Sequence, residues 1–352
     1  MESTPRVDPT AQLPYLSAEI PPTGGSLRAT PDDFVVDEVP AYAPTGSGDH
    51  LFVRVRKRNR TTPDAVRMLA QALGVDERAA GYAGLKDRQA TTTQWVSLFG
   101  AKPEAAMALE LPDIEVLEAI PHGTKLRTGH LHGNRFTLRV RDAAGVDLGA
   151  VRAVAAQLQA EGLPNYFGSQ RFGRDFDNAI RAMAWMKGEA RAPKAPFERK
   201  LLVSALQSEL FNQVVAERVT AGELGRVRHG DLVQKHASGG MFVVDDVNEV
   251  QARADAWELS ATGPMFGSKM RRPEEDAGQR EDALLARNDI TQDDLERIAR
   301  WGEGTRRYVR VPLPELDIEP TEDGYTIAFV LPKGSYATVV MREIMKVALP
   351  PL

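Results

Sequence analysis

The sequence predicts an α+β protein in which a mixed β-sheet domain is interrupted by a mainly helical insertion. Three observations carry this. Two segments, "HLFVRVRKR" and "RFTLRVRD", alternate apolar and charged residues with the period of two expected of half-buried strands. A capped amphipathic helix, "TTPDAVRMLAQALG", follows the first of them. The character of the chain then changes at "LPNYFGSQRFGRDFDN" and stays mostly helical to about residue 311.

Taken in order, Leu51, Val53 and Val55 of the first strand face one way, and Phe52, Arg54 and Arg56 the other. The helix after it takes Thr62 as N-cap, Pro63 at its start, a stripe of Val66, Leu69 and Leu73, and Gly74 as its stop. "TTQWVSLFG" reads as a further strand. In "RFTLRVRD" Phe136, Leu138 and Val140 point inward while Arg135, Arg139 and Arg141 point out. "DLGAVRAVAAQLQAEG" is a helix from the Asp147 cap region to Gly162. The insertion holds a helix in "ERKLLVSALQSELFNQVVAERV" and a short strand in "GGMFVVD", and the strand "GYTIAFVLP" with a helix starting near Ser335 closes the chain. The expected domains are a poorly ordered leader over 1–25, rich in Pro, Ser and Thr, a sheet domain over 26–161 plus 312–352, and an inserted domain over 162–311.

Composition narrows the function. At 352 residues, 42% hydrophobic and 26% charged, the chain has the make-up of a soluble globular protein. It has no cysteine, which removes disulfides, thiolate nucleophiles and cysteine-ligated metal sites and fits a reducing cytoplasm. No segment has signal-peptide character or the apolar length to span a bilayer. The net charge of −5 argues against a polyanion partner, yet "RVRKRNR" and "KLRTGHLHGNRFTLRVR" concentrate cations locally. There is no phosphate-binding glycine loop, no dinucleotide fingerprint and no serine nucleophile elbow. The six histidines lack a metal-binding spacing, so no metal or nucleotide cofactor is expected.

What remains is Asp87, in "GYAGLKDRQATTTQWVS", with basic and aromatic residues elsewhere in the chain. At this point the sequence resembles the TruD-type tRNA pseudouridine synthases along nearly its whole length. "RATPDDFVVDEVP" resembles that family's N-terminal motif, with Phe34 at its aromatic position, and "GLKDRQATTTQW" its catalytic motif, with Asp87 as the aspartate. "HGNRFTLRVR" resembles the asparagine–phenylalanine strand, at Asn134 and Phe136. "GLPNYFGSQRFG" and "SALQSELFNQVVAERV" resemble signatures of the inserted TRUD domain, and "LPKGSYATVVMREI" the C-terminal motif. Two positions depart from the pattern: Tyr336 stands where phenylalanine is usual, and Arg28 where lysine is common.

The resemblance implies a pseudouridine synthase catalytic domain, tRNA as partner, no cofactor, and isomerisation of a uridine, at position 13, to pseudouridine. Breaking a glycosidic bond builds positive character at C1′, so a carboxylate there stabilises it; Asp87 takes that part. Arg28, ahead of the adjacent Lys86, is the expected cation that keeps Asp87 ionised. A base pulled from its stack needs a ring to rest on, and Phe34 and Tyr336 are the expected platforms. Asn134 has donors and acceptors for a uracil edge or a ribose hydroxyl. Arg171 and Arg174, interleaved with the rings of "NYFGSQRFGR", suit RNA contact. The rival readings are a non-catalytic RNA-binding protein or tRNA-folding chaperone, and a base-excising glycosylase, which would release free base.

Overall fold

In the computed structural model, which describes residues 7–347, the chain divides into two compact units. One is built from Pro22–Arg152 and Leu313–Gly334, the other from the chain up to Pro21, Ala153–Pro312 and the chain from Ser335. No described helix is long and apolar enough to cross a membrane.

The first of these units is a mixed sheet. Its main strands are β1 (Phe34–Pro40), β2 (His50–Arg58), β3 (Thr91–Phe99), β4 (Ile114–His122), β5 (Leu131–Arg141), β6 (Leu316–Thr321) and β7 (Gly324–Pro332). They run in the order β6-β7-β5-β1-β3-β2-β4, with β1 and β3 parallel and the other pairs antiparallel. The expected mixed sheet is therefore present, and the strand expected at "GYTIAFVLP" spans those nine residues. The helix α1 (Thr62–Leu73) lays Val66 and Leu69 on a core of Leu51, Val53, Val55, Val96 and Leu98. Leu51, Val53 and Val55 lie inward as the alternation requires. Phe52, on the opposite face, is buried too, against Trp95, Leu126 and Leu131.

The cap of α1 differs from expectation, and the reason bears on function. Thr61, not Thr62, is the N-cap; its hydroxyl accepts from the Asp64 N–H at 3.2 Å. Thr62 is buried and its hydroxyl is engaged elsewhere: it donates to Gln94 Oε1 at 2.8 Å and accepts from the Lys86 N–H at 2.9 Å. Gly74 ends the helix in the left-handed region, φ 66°, where glycine carries no Cβ penalty.

The other unit is centred on the 25-residue helix Pro196–Thr220. Its Leu202, Leu206 and Leu210 pack with Met186, Leu284, Leu285 and Ile298 from three shorter helices. An antiparallel sheet of Met241–Val243, Leu232–Lys235, Leu259–Met265 and Thr305–Tyr308 completes it. The strand Leu259–Met265 has no counterpart in the sequence reading, because it is buried at all seven positions and so shows no alternation. Its Gly263 is where the long helix approaches: a Cβ there would lie 2.9 Å from the Phe211 ring.

The two units divide the chain differently from the expected domains. The segment 312–352 does not stay with the sheet as a whole. β6 and β7 do, but the helix Ala337–Met345 belongs to the other unit, beside the short strand Leu163–Pro164. The described residues of the expected leader carry local structure and contacts. Pro9–Gln12 forms a 3₁₀ turn capped by Asp8, and the fully buried Glu343 accepts from the Leu16 and Ser17 N–H groups, each at 3.1 Å, and from the Ser17 hydroxyl at 2.8 Å. A buried carboxylate needs donors, and the leader supplies them.

Candidate active site

The segment Gly84–Asp87 has no regular structure of its own, so its shape comes from side chains that grip it. The Gln94 amide nitrogen, Nε2, donates to the Gly84 carbonyl at 3.3 Å. The Lys86 N–H is held by Thr62. The Lys86 ammonium pairs with Glu38 at 2.7 Å, with side-chain exposures of 5% and 1%. Glu38 also accepts from the Trp95 N–H at 3.2 Å, so its second oxygen is satisfied. Finally, Lys57, wholly buried at the end of β2, donates to the Asp87 carbonyl at 2.9 Å and to the Arg60 carbonyl at 2.6 Å.

Asp87 ends this gripped segment with its side chain 39% exposed. The Arg28 guanidinium stands 3.5 Å from its carboxylate, a long contact for an ion pair. Arg28 lies over the Phe34 ring, 3.8 Å from the centroid. Its backbone sits at φ 66°, a conformation costly for a residue with a Cβ and found where function holds it. Burial pushes the Arg28 guanidinium below its ordinary value and the Asp87 carboxylate opposes that shift. Burial likewise lowers the Lys57 ammonium to about 8, against the pull of Asp87 and reinforced by Lys86.

The placement of the sequence-predicted residues is uneven. Arg28 stands beside Asp87. Phe34 is only 1% exposed, edge-on to Phe136, with Arg28 over its face. In this position the ring supports the Arg28 guanidinium beside Asp87. Lys86 is buried and paired with Glu38. Asn134 lies opposite Glu38 in the β1–β5 ladder, on the same face. Its Oδ1 is buried with no hydrogen-bond partner, an acceptor that a ligand donor would satisfy.

Tyr336, Arg171 and Arg174 belong to the other unit. There Tyr336 is the N-cap residue of the helix Ala337–Met345 and lies 5.9 Å from the Phe167 ring. Arg171 stands 5.0 Å and Arg307 4.1 Å from the same ring, and Phe211 meets it edge-on. Burial pushes the Arg307 guanidinium down to about 10, with Tyr336 opposing. Arg171 Nε is buried without a partner, while Arg174 is exposed. Two cavities in this unit, of about 370 and 550 Å³, are lined by none of Tyr336, Arg171, Arg174 and Arg307.

The basic strands change meaning in the structure. Arg54 pairs with Glu118, Arg56 with Glu115, Arg58 with Asp32 and Arg60 with Asp113. On β5 and its neighbours, Arg135 pairs with Glu315, and Arg139 and Arg141 with Asp323. Cations without a carboxylate partner among the described residues of this unit include Arg88, Lys125, Arg127 and Lys333. Lys125 and Arg127 flank Leu126 in a loop tied to β3 by Leu126 N–H to Ser97 Oγ, 3.0 Å, and to the residue before the Gly84–Asp87 segment by Gly129 N–H to the Ala83 carbonyl, 2.8 Å.

This arrangement of a gripped, half-exposed aspartate and a stacked arginine falls inside a sequence profile that matches residues 11–191 and 195–344, described as tRNA pseudouridine synthase D (TruD). The chain belongs to that family. It is 49% identical over 339 residues to the tRNA pseudouridine synthase D of Anaeromyxobacter dehalogenans, covering 95% of this chain and 96% of that protein. The protein of that name from Thermus thermophilus is 42% identical over 337 residues, covering 96% and 93%. A solved structure described as a tRNA pseudouridine synthase D from Methanosarcina mazei superposes with a TM-score of 0.82 over 99% of each chain, at 23% identity, and shows the same fold.

Within this family framework, the residues that sequence reasoning missed are Lys57, Glu38, Thr62 and Gln94. Lys57 continues the inward series Leu51, Val53, Val55, and Glu38 continues Phe34 and Val36. A charged residue on the apolar face of a strand is a signal that burial must be compensated. Nothing in composition reveals the partner, which is set by tertiary pairing.

Breaking one half of a buried ion pair costs about 3–5 kcal/mol, because the other charge stays behind. Glu38→Gln is therefore expected to lower the melting temperature clearly, and the double variant Glu38→Gln/Lys86→Met to recover much of the loss. Thermal unfolding of the three proteins checks it; equal melting of the single variant and the parent would deny the pair this part.

Proposed function

We propose that the Asp87 segment is the catalytic site of a tRNA pseudouridine synthase. The protein is an isomerase that converts a uridine of tRNA to pseudouridine, as its family membership over nearly the full chain establishes. The target expected from the family is uridine at position 13. The observation that carries the site assignment is the grip on Asp87: its backbone is fixed by Lys57 and its segment by Glu38, Thr62 and Gln94, while the carboxylate itself remains half open.

The chemistry asks for this. The N1–C1′ bond breaks, the base turns, and a C5–C1′ bond forms; a proton leaves C5 and one is gained at N1, so mass is unchanged. Positive character at C1′ calls for an anion held close and without reorganisation. Addition of the carboxylate to C1′ and removal of a sugar proton by it both use the Asp87 carboxylate, which Arg28 faces at 3.5 Å. Asn134, with its unsatisfied Oδ1, accepts from uracil N3–H or a ribose hydroxyl. Leu85, 68% exposed two residues before Asp87, adds an apolar contact for base or sugar. Arg88, Lys125, Arg127 and Lys333 meet phosphates without breaking an existing ion pair. Tyr336, and Arg171 with its orphaned Nε, serve RNA from the other unit, with Arg174 exposed beside them in the chain. The absence of cysteine supports a cytoplasmic location.

Purified protein given tRNA labelled with tritium at uridine C5 is expected to release tritium to water with tRNA mass unchanged and no free uracil. Free uracil would identify a glycosylase. Asp87→Asn should abolish release while tRNA affinity stays within about tenfold, ~1.4 kcal/mol; turnover by this variant, with deamidation excluded, would remove Asp87 from its role.

Neutralising Arg127 to Gln is expected to weaken tRNA binding and to flatten the log–log salt slope by about 0.7–0.9 for the phosphate lost. Arg54→Gln, whose cation is already paired, should leave that slope unchanged. Reversal of the two results would return the phosphate contacts to the strands.

Tyr336 is expected to act through its ring. Tyr336→Phe should keep activity within a few fold, and Tyr336→Ala should lose about 1–3 kcal/mol of stacking, roughly five- to 150-fold. Rates on full-length tRNA decide it: equal damage in both variants would assign the task to the hydroxyl, and no damage in either would make Tyr336 a packing residue.

A further inference from the structure

We infer that Lys57 is a positioning residue for the reaction: from beneath the catalytic segment, its buried ammonium fixes the Asp87 backbone and supplies a second positive charge to the carboxylate above. The inference rests on the assignment of Asp87 as the catalytic carboxylate.

The geometry has three parts. Lys57 is the inward residue of β2 just before the chain turns into α1, and it is wholly buried. Its Nζ donates to two carbonyls, that of Arg60 in this turn and that of Asp87, thirty residues along the chain from Lys57. Among the described residues no carboxylate is bonded to it, although its neighbours in the chain, Arg56, Arg58 and Arg60, all have one. A lysine buried for stability alone would be expected to carry a matched anion, since an unpaired buried charge is costly. Here the anion that acts on it is Asp87, which Arg28 also faces. Lys86 acts against the Lys57 charge but is itself matched by Glu38. The buried Thr92 hydroxyl, on the residue opposite Lys57 in the β2–β3 ladder, has no partner.

The burden of this arrangement appears in titration. The Lys57 ammonium is held near 8, against an ordinary value of 10.5. Above that point the neutral amine makes weaker hydrogen bonds and no longer offsets the Asp87 charge. The sign for stability is opposite. Between about 8 and 10.5 the unfolded chain binds the proton that the folded chain has lost, so this group makes the fold more stable as pH rises. Loss of activity above about pH 8 through Lys57 is therefore not loss of fold, and the two effects can be measured apart.

The test is single-turnover tritium release on tRNA between about pH 7 and pH 9, with melting curves at each pH. Wild type is expected to lose turnover with an alkaline limb centred near 8 while tRNA affinity and melting hold. Lys57→Met keeps the stem and removes the charge. It should bind tRNA within a few fold, turn over roughly tenfold to hundredfold more slowly at about pH 7, and lack the limb near 8. A Lys57→Met enzyme within about threefold of wild type that keeps the same limb would overturn the inference. If the variant does not fold, the wild-type profile decides alone: turnover flat to about pH 9 rejects the role. Asp87→Asn runs alongside. Turnover by that variant sinks the assignment of Asp87 itself, whereas an inactive Asp87→Asn beside a fully active Lys57→Met sinks only the part given to Lys57.

Discussion

The buried pair of Lys86 and Glu38 ties an otherwise irregular segment to the middle of a sheet, and the neighbouring features follow from it. Glu38 sits on β1 between β3 and β5, so the segment it holds is referenced to three strands at once. A buried ion pair is a poor source of net stability, because desolvation offsets most of the attraction. What it provides is location. The remaining grips, from Thr62, Gln94 and Lys57, fix the backbone at successive points, so Asp87 has little freedom except in its own side chain.

Arg28 shows the same trade. A non-glycine residue at positive φ and a guanidinium stacked on a buried ring are both held by their surroundings, not by local preference. The turn after Arg28 is anchored by Asp33, to which Arg141 of β5 donates at 2.7 Å and 3.0 Å. Burial raises the Asp33 carboxyl, but the Arg141 and Thr30 hydrogen bonds outweigh it and leave the group below its usual value. Cations that read as an RNA-binding stripe thus do structural duty, because in a sheet the residue that neutralises a charge lies across a strand rather than along the sequence.

That distinction also explains how far the sequence could be read. Strand and helix positions with clear periodicity, such as β7 and α1, were legible because one face of each is buried. The fully buried strand Leu259–Met265 was not, since burial on both sides erases the pattern. The motifs singled out Asp87, Arg28 and Asn134, and the structure sets Arg28 beside Asp87. Phe34 was singled out by the same motif, and its contact with Arg28 was not, because a motif specifies residue type and not the neighbour that stacks on it. Lys57 and Glu38 were visible as charged residues at inward positions, but their partners lie 30 and 48 residues away, at separations that only tertiary structure specifies.

The order of the strands imposes a timetable on synthesis. β5 lies between β1 and β7, and 182 residues separate Arg141 from Asp323, which comes just before β7. At about 5–20 residues per second, a nascent chain presents β5 with one open edge for roughly 9–36 s. Such an edge is a template for pairing with other chains. The alternate arginines of β5, Arg135, Arg139 and Arg141, whose partners Glu315 and Asp323 have not yet been made, keep the waiting strand hydrated and mutually repellent during that interval. Ribosomes stalled inside the inserted segment would therefore hold a sheet that lacks two strands, β6 and β7, and Asp87 would be synthesised long before the sheet that positions it is complete.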